Sequence, residues 1–150
     1  MIETSDAMRI LESFAAEPPF DLDWPERPVA PCLLDSPHSG RAFPRDFLAM
    51  SRLDRTAIRR SEDAYVDQLC RAAAGGRLPV LSARFPRAWL DANRERLELD
   101  PRMFTGRLPE GANTRSTRVA GGLGTVPRIV SEKDDIYAGP IPVGEALKRI

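Results

Sequence analysis

The sequence predicts an α/β chain, and two stretches carry the prediction. An apolar run, Val29 to Leu34, leads straight into the polar, glycine-containing turn Asp35-Ser36-Pro37-His38-Ser39-Gly40-Arg41. A helical pattern between Ser61 and Gly76 is then followed at once by a second apolar run, Leu78 to Ala83. Strand, helix, strand in that order is the repeating unit of an open α/β sheet. Such a sheet presents the ends of its strands at one edge, where ligands bind. His38 stands at that position, and it is the only histidine of the chain.

Taken in order, Ser5-Asp6 reads as the cap of a short helix with Ala7, Ile10, Leu11 and Phe14 on one face. Pro18, Pro19, Pro25 and Pro28 then impose an extended arm, so residues 1–28 read as a helix and arm ahead of a domain at 29–150. Val29 to Leu34 reads as a buried first strand, with Pro31 marking a bulge or an edge position. Phe43 to Arg52 reads as a short helical turn or loop. The clearest helix is expected to start at Ser61 as N-cap, with Glu62 and Asp63 in its first turn, Val66, Leu69, Cys70 and Ala73 on its apolar face, and Gly75-Gly76 ending it. Leu78 to Ala83 and Ala88 to Leu90 read as strands two and three, and Val126 to Val130 as another. Between them, Pro101 to Gly124 is rich in Gly, Thr, Pro and Arg and reads as a functional loop or lid. The stretch from Gly144 to Ile150 reads as two turns of an amphipathic helix.

Composition removes several function classes. The chain has 150 residues, 42% of them apolar, enough for one domain with a real core. Lys+Arg 22 balances Asp+Glu 22, so the excess of positive charge that nucleic acid or an anionic membrane surface demands is missing. No apolar run is long enough to span a bilayer, and the acidic N-terminus does not resemble a signal or transit peptide. Cys32 and Cys70 have no metal-binding spacing and read as core residues of a reduced, cytoplasmic protein. Lys133 and Lys148 are the only lysines; an arginine-rich surface suits forked binding of carboxylates, although codon bias produces the same pattern. Nothing in the pattern sets an oligomeric state.

Three constellations carry chemistry. His38 is a candidate metal ligand at a strand end; a hydrogen-bonded structural imidazole is its plain alternative. Glu62 and Asp63 are candidate carboxylate ligands, yet helix starts favour acidic residues on electrostatic grounds alone. Asp91-Ala92-Asn93-Arg94 follows the run Ala88-Trp89-Leu90, and Asn93 with Arg94 offers amide and guanidinium donors to a substrate carboxylate. Surface pairs of Arg94 and Arg96 with Glu95 and Glu98 would account for the same residues. Arg87, just upstream, is placed to polarise a carbonyl oxygen. Together they point to a metal-dependent hydrolase for an acidic substrate.

The order of these motifs resembles the N-formylglutamate amidohydrolases, relatives of the zinc carboxypeptidase and aspartoacylase group. The resemblance rests on Asp35 to Arg41, on Ser61-Glu62-Asp63-Ala64-Tyr65-Val66-Asp67-Gln68-Leu69, and on Arg87 with Asp91 to Arg94. It continues through Gly122-Leu123-Gly124-Thr125-Val126-Pro127-Arg128 and Ile136-Tyr137. It implies a three-layer fold with a central mixed sheet, and zinc-dependent hydrolysis of a small N-formyl or N-acyl amino acid. Matched residue by residue, it implies His38 and Asp63 (Glu62 failing that) as Zn2+ ligands, and Arg87 as the catalytic arginine. Asn93, Arg94 and Arg41 would then bind substrate. Family members continue beyond the matching region and supply a second zinc-binding histidine and a catalytic glutamate there. This chain is therefore expected to correspond to the N-terminal portion of such an enzyme. A non-catalytic anion-binding module and a peptidase or deacylase of the same superfamily are the rival readings.

Overall fold

A computed structural model describes residues 18–131 and 134–150. The helix expected at Ser5 to Phe14 lies outside the described residues. The fold is α/β, with a central mixed sheet flanked by helices. Three strands form the sheet: β1 (Phe20–Asp23), β2 (Leu34–Ser36) and β3 (Val80–Ala83), in the order β1-β3-β2. β3 is the middle strand. β1 runs antiparallel to it with Phe20 opposite Ala83, and β2 runs parallel with Leu34 opposite Val80.

Parallel pairing of β2 with β3 requires a crossover, and the chain between them supplies helices α1 (Arg45–Met50), α2 (Arg55–Ile58) and α3 (Val66–Ala74). α3 packs on β2 and β3. Gly75 at a φ of 54° ends it and returns its N–H to the Arg71 carbonyl, as the glycine pair predicts. Its start differs from expectation. Ser61 does not cap it; the Ser61 hydroxyl donates to the Ile58 carbonyl and closes a 3₁₀ turn at Arg59–Ser61. Glu62 is therefore extended, and the helix begins only after Tyr65, which adopts a left-handed φ of 66°.

Several other expectations are corrected. The stretch taken for a buried strand from Val29 is irregular until Leu34, because Pro31 and the exposed Val29 and Leu33 give it no ladder to join. Cys32 is exposed and Cys70 half-buried; both are free thiols, not core residues. The arm, expected as an extended segment ahead of the domain, contributes Phe20–Asp23 as a strand of the sheet. Ala88 to Leu90 is a turn closed on the Pro86 carbonyl by the Trp89 and Leu90 N–H groups. Val126 to Val130 forms no strand, only an isolated bridge from Ile129 to Asp135.

The main core lies beyond the sheet. Phe47, Ile58, Phe85, Trp89, Leu99, Val126, Ile136 and Tyr137 form one buried cluster. A second, two-stranded parallel ribbon, β4 (Phe104–Thr105) with β5 (Ile141–Pro142), adds to it. Helix α5 (Val143–Leu147) contributes Val143 and Ala146. Arg149, just beyond α5, is buried; its Nη1 donates to the Trp89 carbonyl and the Tyr137 hydroxyl, and its guanidinium lies 5.6 Å from the Trp89 ring centroid. The long loop also contains order of its own, a 3₁₀ turn at Pro101–Met103 and helix α4 (Thr117–Ala120) capped by Ser116. None of the described helices is long and apolar enough to cross a membrane.

Candidate active site

β2 ends at Ser36, and the next turn carries His38 into a buried position at the end of the sheet. The turn after β2 closely approaches the segment after β3: a β-carbon on Gly40 would lie 2.2 Å from the Phe85 carbonyl oxygen, so only glycine fits. Ser39 then fastens the two loops. Its hydroxyl donates to the Asp63 carbonyl at 2.7 Å and accepts from the Asp67 N–H, and the Asp63 N–H donates to the His38 carbonyl. These bonds draw Asp63 to His38 across 25 residues of sequence.

The imidazole of His38 lies between two carboxylates. Nε2 is 2.8 Å from Asp91 Oδ1, and Nδ1 is 3.1 Å from Asp63 Oδ2. Asp91 is the hub of the site. Its Oδ1 also accepts the Asn93 N–H, while Oδ2 lies 3.0 Å from Arg87 Nε and 3.2 Å from Arg94 Nη2. Burial alone would raise the Asp91 pKa; the His38 hydrogen bond, with the charges of Arg87 and Arg94, outweighs it and holds the carboxyl below the usual range. Asp91 is therefore an acceptor from every side, and the His38 proton belongs on Nε2. In the neutral ring Nδ1 then turns a lone pair toward Asp63. Two acceptors 3.1 Å apart repel unless a cation or proton lies between them.

A tetrahedral zinc ion spaces neighbouring ligand atoms about 3.3 Å apart, so His38 Nδ1 and Asp63 Oδ2 fit two of its positions. Asp91 on the far nitrogen fits the partner that orients a metal-bound imidazole. A catalytic zinc takes three protein ligands, and among the described residues no group of three His, Cys, Asp or Glu side chains is arranged to hold a metal. The described residues thus present a pair of donors and no complete centre.

The remaining candidate residues take distinct places. Arg87 reaches Asp91 and, at 4.0 Å, Asp63, bridging both carboxylates. Arg94 is folded inward, with Nε donating to the Leu123 carbonyl and Nη1 to the Asn93 carbonyl; Asn93 itself is exposed. Glu62 is engaged elsewhere, its carboxylate held by Arg41 at 2.5 Å and Arg59 at 2.6 Å. Burial raises its pKa, but the hydrogen bonds of Arg59 and Arg41 prevail and lower it. Arg41 also lies over the Tyr65 ring at 4.9 Å. The structure brings His38, Asp63, Arg87 and Arg94 to one cluster and sets Glu62 and Arg41 in another. A cleft of about 270 Å³ opens beside the first, with Asp63, Arg87 and Asp91 in its wall. Sequence reasoning named Asp91 in a motif but gave it no role. The signal was present: an acid four residues after Arg87 and three before Arg94 can pair with both.

A family profile described as N-formylglutamate amidohydrolase matches residues 30–150. The chain belongs to the N-formylglutamate amidohydrolase family. It also matches the crystal structure of N-formylglutamate amidohydrolase from Ralstonia eutropha JMP134, at 32% identity and a TM-score of 0.79, over 88% of this chain. The chain spans about half the length of that family member, 46% of it. A search of curated proteins gave no significant match.

Proposed function

We propose that this chain provides the ligand-orienting, carbonyl-polarising and anion-binding part of a cytoplasmic, zinc-dependent hydrolase of N-formyl or N-acyl amino acids, such as N-formyl-L-glutamate. Formate and the free amino acid would be the products. Its place in the N-formylglutamate amidohydrolase family supports a hydrolase of this type. The observation that carries the finer reading is the His38 ring, fixed by Asp91 on Nε2 and facing Asp63 with Nδ1. His38 and Asp63 would hold zinc together with a third ligand from outside this chain. Zinc supplies, when bound, a hydroxide near neutral pH by lowering the pKa of its water.

The chain's own residues account for the rest. Asp91 keeps the His38 proton on Nε2 and leaves Nδ1 free to ligate. Arg87 lines the cleft with guanidinium donors, placed for the oxygen of an amide carbonyl that becomes negative as the carbon turns tetrahedral. Arg94, forked and preset by the Leu123 and Asn93 carbonyls, receives the α-carboxylate with Asn93 beside it.

Binding is the test, because it needs only this chain. N-formyl-L-glutamate should bind, zinc should strengthen binding, and Arg94→Lys should weaken it about tenfold, since lysine cannot reproduce the fork. Equal binding with zinc and with chelator would favour the rival anion-binding module. Unchanged affinity in Arg94→Lys would remove the clamp.

A further inference from the structure

The cleft has a second arginine that the network around Asp91 does not use. Arg59 and Arg60 are adjacent in the 3₁₀ turn ahead of Asp63, yet they part company. Arg59 turns to Glu62, whereas Arg60 lines the cleft and, among the described residues, has one ion pair, Nη1 to Asp134 Oδ2 at 2.6 Å. Arg87 and Arg94 are paired with buried Asp91, whereas Arg60 and Asp134 have side chains 61% and 35% exposed. A ligand carboxylate can therefore replace Asp134 on Arg60 without uncovering a buried charge. Asp134 keeps a partner when it is displaced, because the Ser131 hydroxyl donates to the same Oδ2 at 2.8 Å. Besides these charged groups the cleft is lined by apolar Leu123, Pro127, Ile129 and Val130. A guanidinium in a cleft with apolar lining suits a short methylene stem ending in an anion.

We propose that Arg60 is a specificity-determining residue, binding the side-chain carboxylate of an acidic N-acyl amino acid in exchange for Asp134. This rests on the reading of the cleft as an N-acyl amino acid site and names which side chain it selects. Arg60 acts on choice of ligand, since it makes no hydrogen bond or ion pair with His38, Asp63 or Asp91 among the described residues.

The test compares N-formyl-L-glutamate with its neutral isostere, N-formyl-L-glutamine, by ligand-observed NMR titration of the 150-residue chain. The wild type should prefer the glutamate compound about tenfold, the order expected of one charge-assisted hydrogen bond. Arg60→Gln should bring the ratio near one, and Arg60→Lys should restore part of it. A wild-type ratio near one, or a preference kept in Arg60→Gln, overturns the assignment of Arg60 while leaving the site reading in place. Failure of the wild type to bind either compound sinks the site reading, and the Arg60 assignment with it.

Discussion

A single carboxylate organises the site. Asp91 is almost fully buried yet faces the His38 ring, two guanidiniums and a backbone N–H, so it is satisfied on both oxygens. Removing its charge strands Arg87 and Arg94, and breaking a buried pair in this way costs about 3 kcal/mol. Asp91→Asn should lower the denaturant midpoint accordingly while keeping the residue's size; a shift within about 0.5 kcal/mol would mean that the arginines find other partners. The same physics sets the acid limit of the fold. Burial would raise the pKa of Asp100, but the Arg102 hydrogen bonds and the Arg128 charge prevail and lower it, as happens at Asp91. A carboxyl with a depressed folded pKa binds fewer protons folded than unfolded. Its stabilisation is complete above the unfolded value, about 3.9, and disappears as pH falls through the lower folded value. Stability measured by urea melts should thus fall steeply below about pH 4, and Asp100→Asn should flatten that slope. A slope the same in both proteins would exclude Asp100 as a source.

At the level of elements, what was legible had a local cause. The glycine pair ends α3, and the polar turn after β2 carries His38, because both depend on nearby residues alone. β1 was missed because Phe20–Asp23 becomes a strand only by meeting β3, some sixty residues later. Ala88 to Leu90 and Val126 to Val130 were misread because short buried apolar runs look alike as strand or turn. Their burial comes from the core cluster, in which Ala88, Trp89 and Val126 all take part. The start of α3 was placed too early for another reason: acidic residues after a serine imitate a cap, and nothing local announces a left-handed tyrosine. Of the site, the strand-end histidine and the Asp91 to Arg94 motif were visible, but which carboxylate meets His38 was not. That choice is made by Ser39, whose hydroxyl ties the two loops. Gly40 gives the sharpest element-level prediction. Alanine there would press its β-carbon into backbone at Arg84 and Phe85, which side-chain rotation cannot relieve. Gly40→Ala should destabilise by about 3 kcal/mol or more in denaturant melts. A smaller cost than about 1 kcal/mol would show that β2 and the Phe85 turn can separate.

For the molecule as a whole, the distribution of apolar surface is uneven. The core cluster is well covered, while the sheet end carries exposed Phe20, Leu22, Trp24, Val29 and Leu33, and α3 carries exposed Leu69. Among the described residues β1 and β2 are both edge strands, each paired on one side only, by β3. An unpaired edge beside exposed apolar side chains is a template for association. On the proposed reading the donor set is uneven in the same sense: among the described residues His38 and Asp63 offer two ligands where a catalytic zinc takes three. Both features stand in a chain that spans about half of that solved family member, 46% of it. Two consequences can be measured on the isolated 150 residues. Zinc should bind weakly and give little hydrolysis of N-formyl-L-glutamate, because two ligands neither hold the ion well nor fix its geometry. In sedimentation the chain should self-associate as its concentration rises, and Leu22→Ser with Trp24→Ser should suppress that without changing zinc affinity, since neither residue lies near His38 in the sheet register. A strictly monomeric chain with zinc-dependent turnover would overturn both statements at once, for it would mean that a two-ligand site and an open sheet edge suffice.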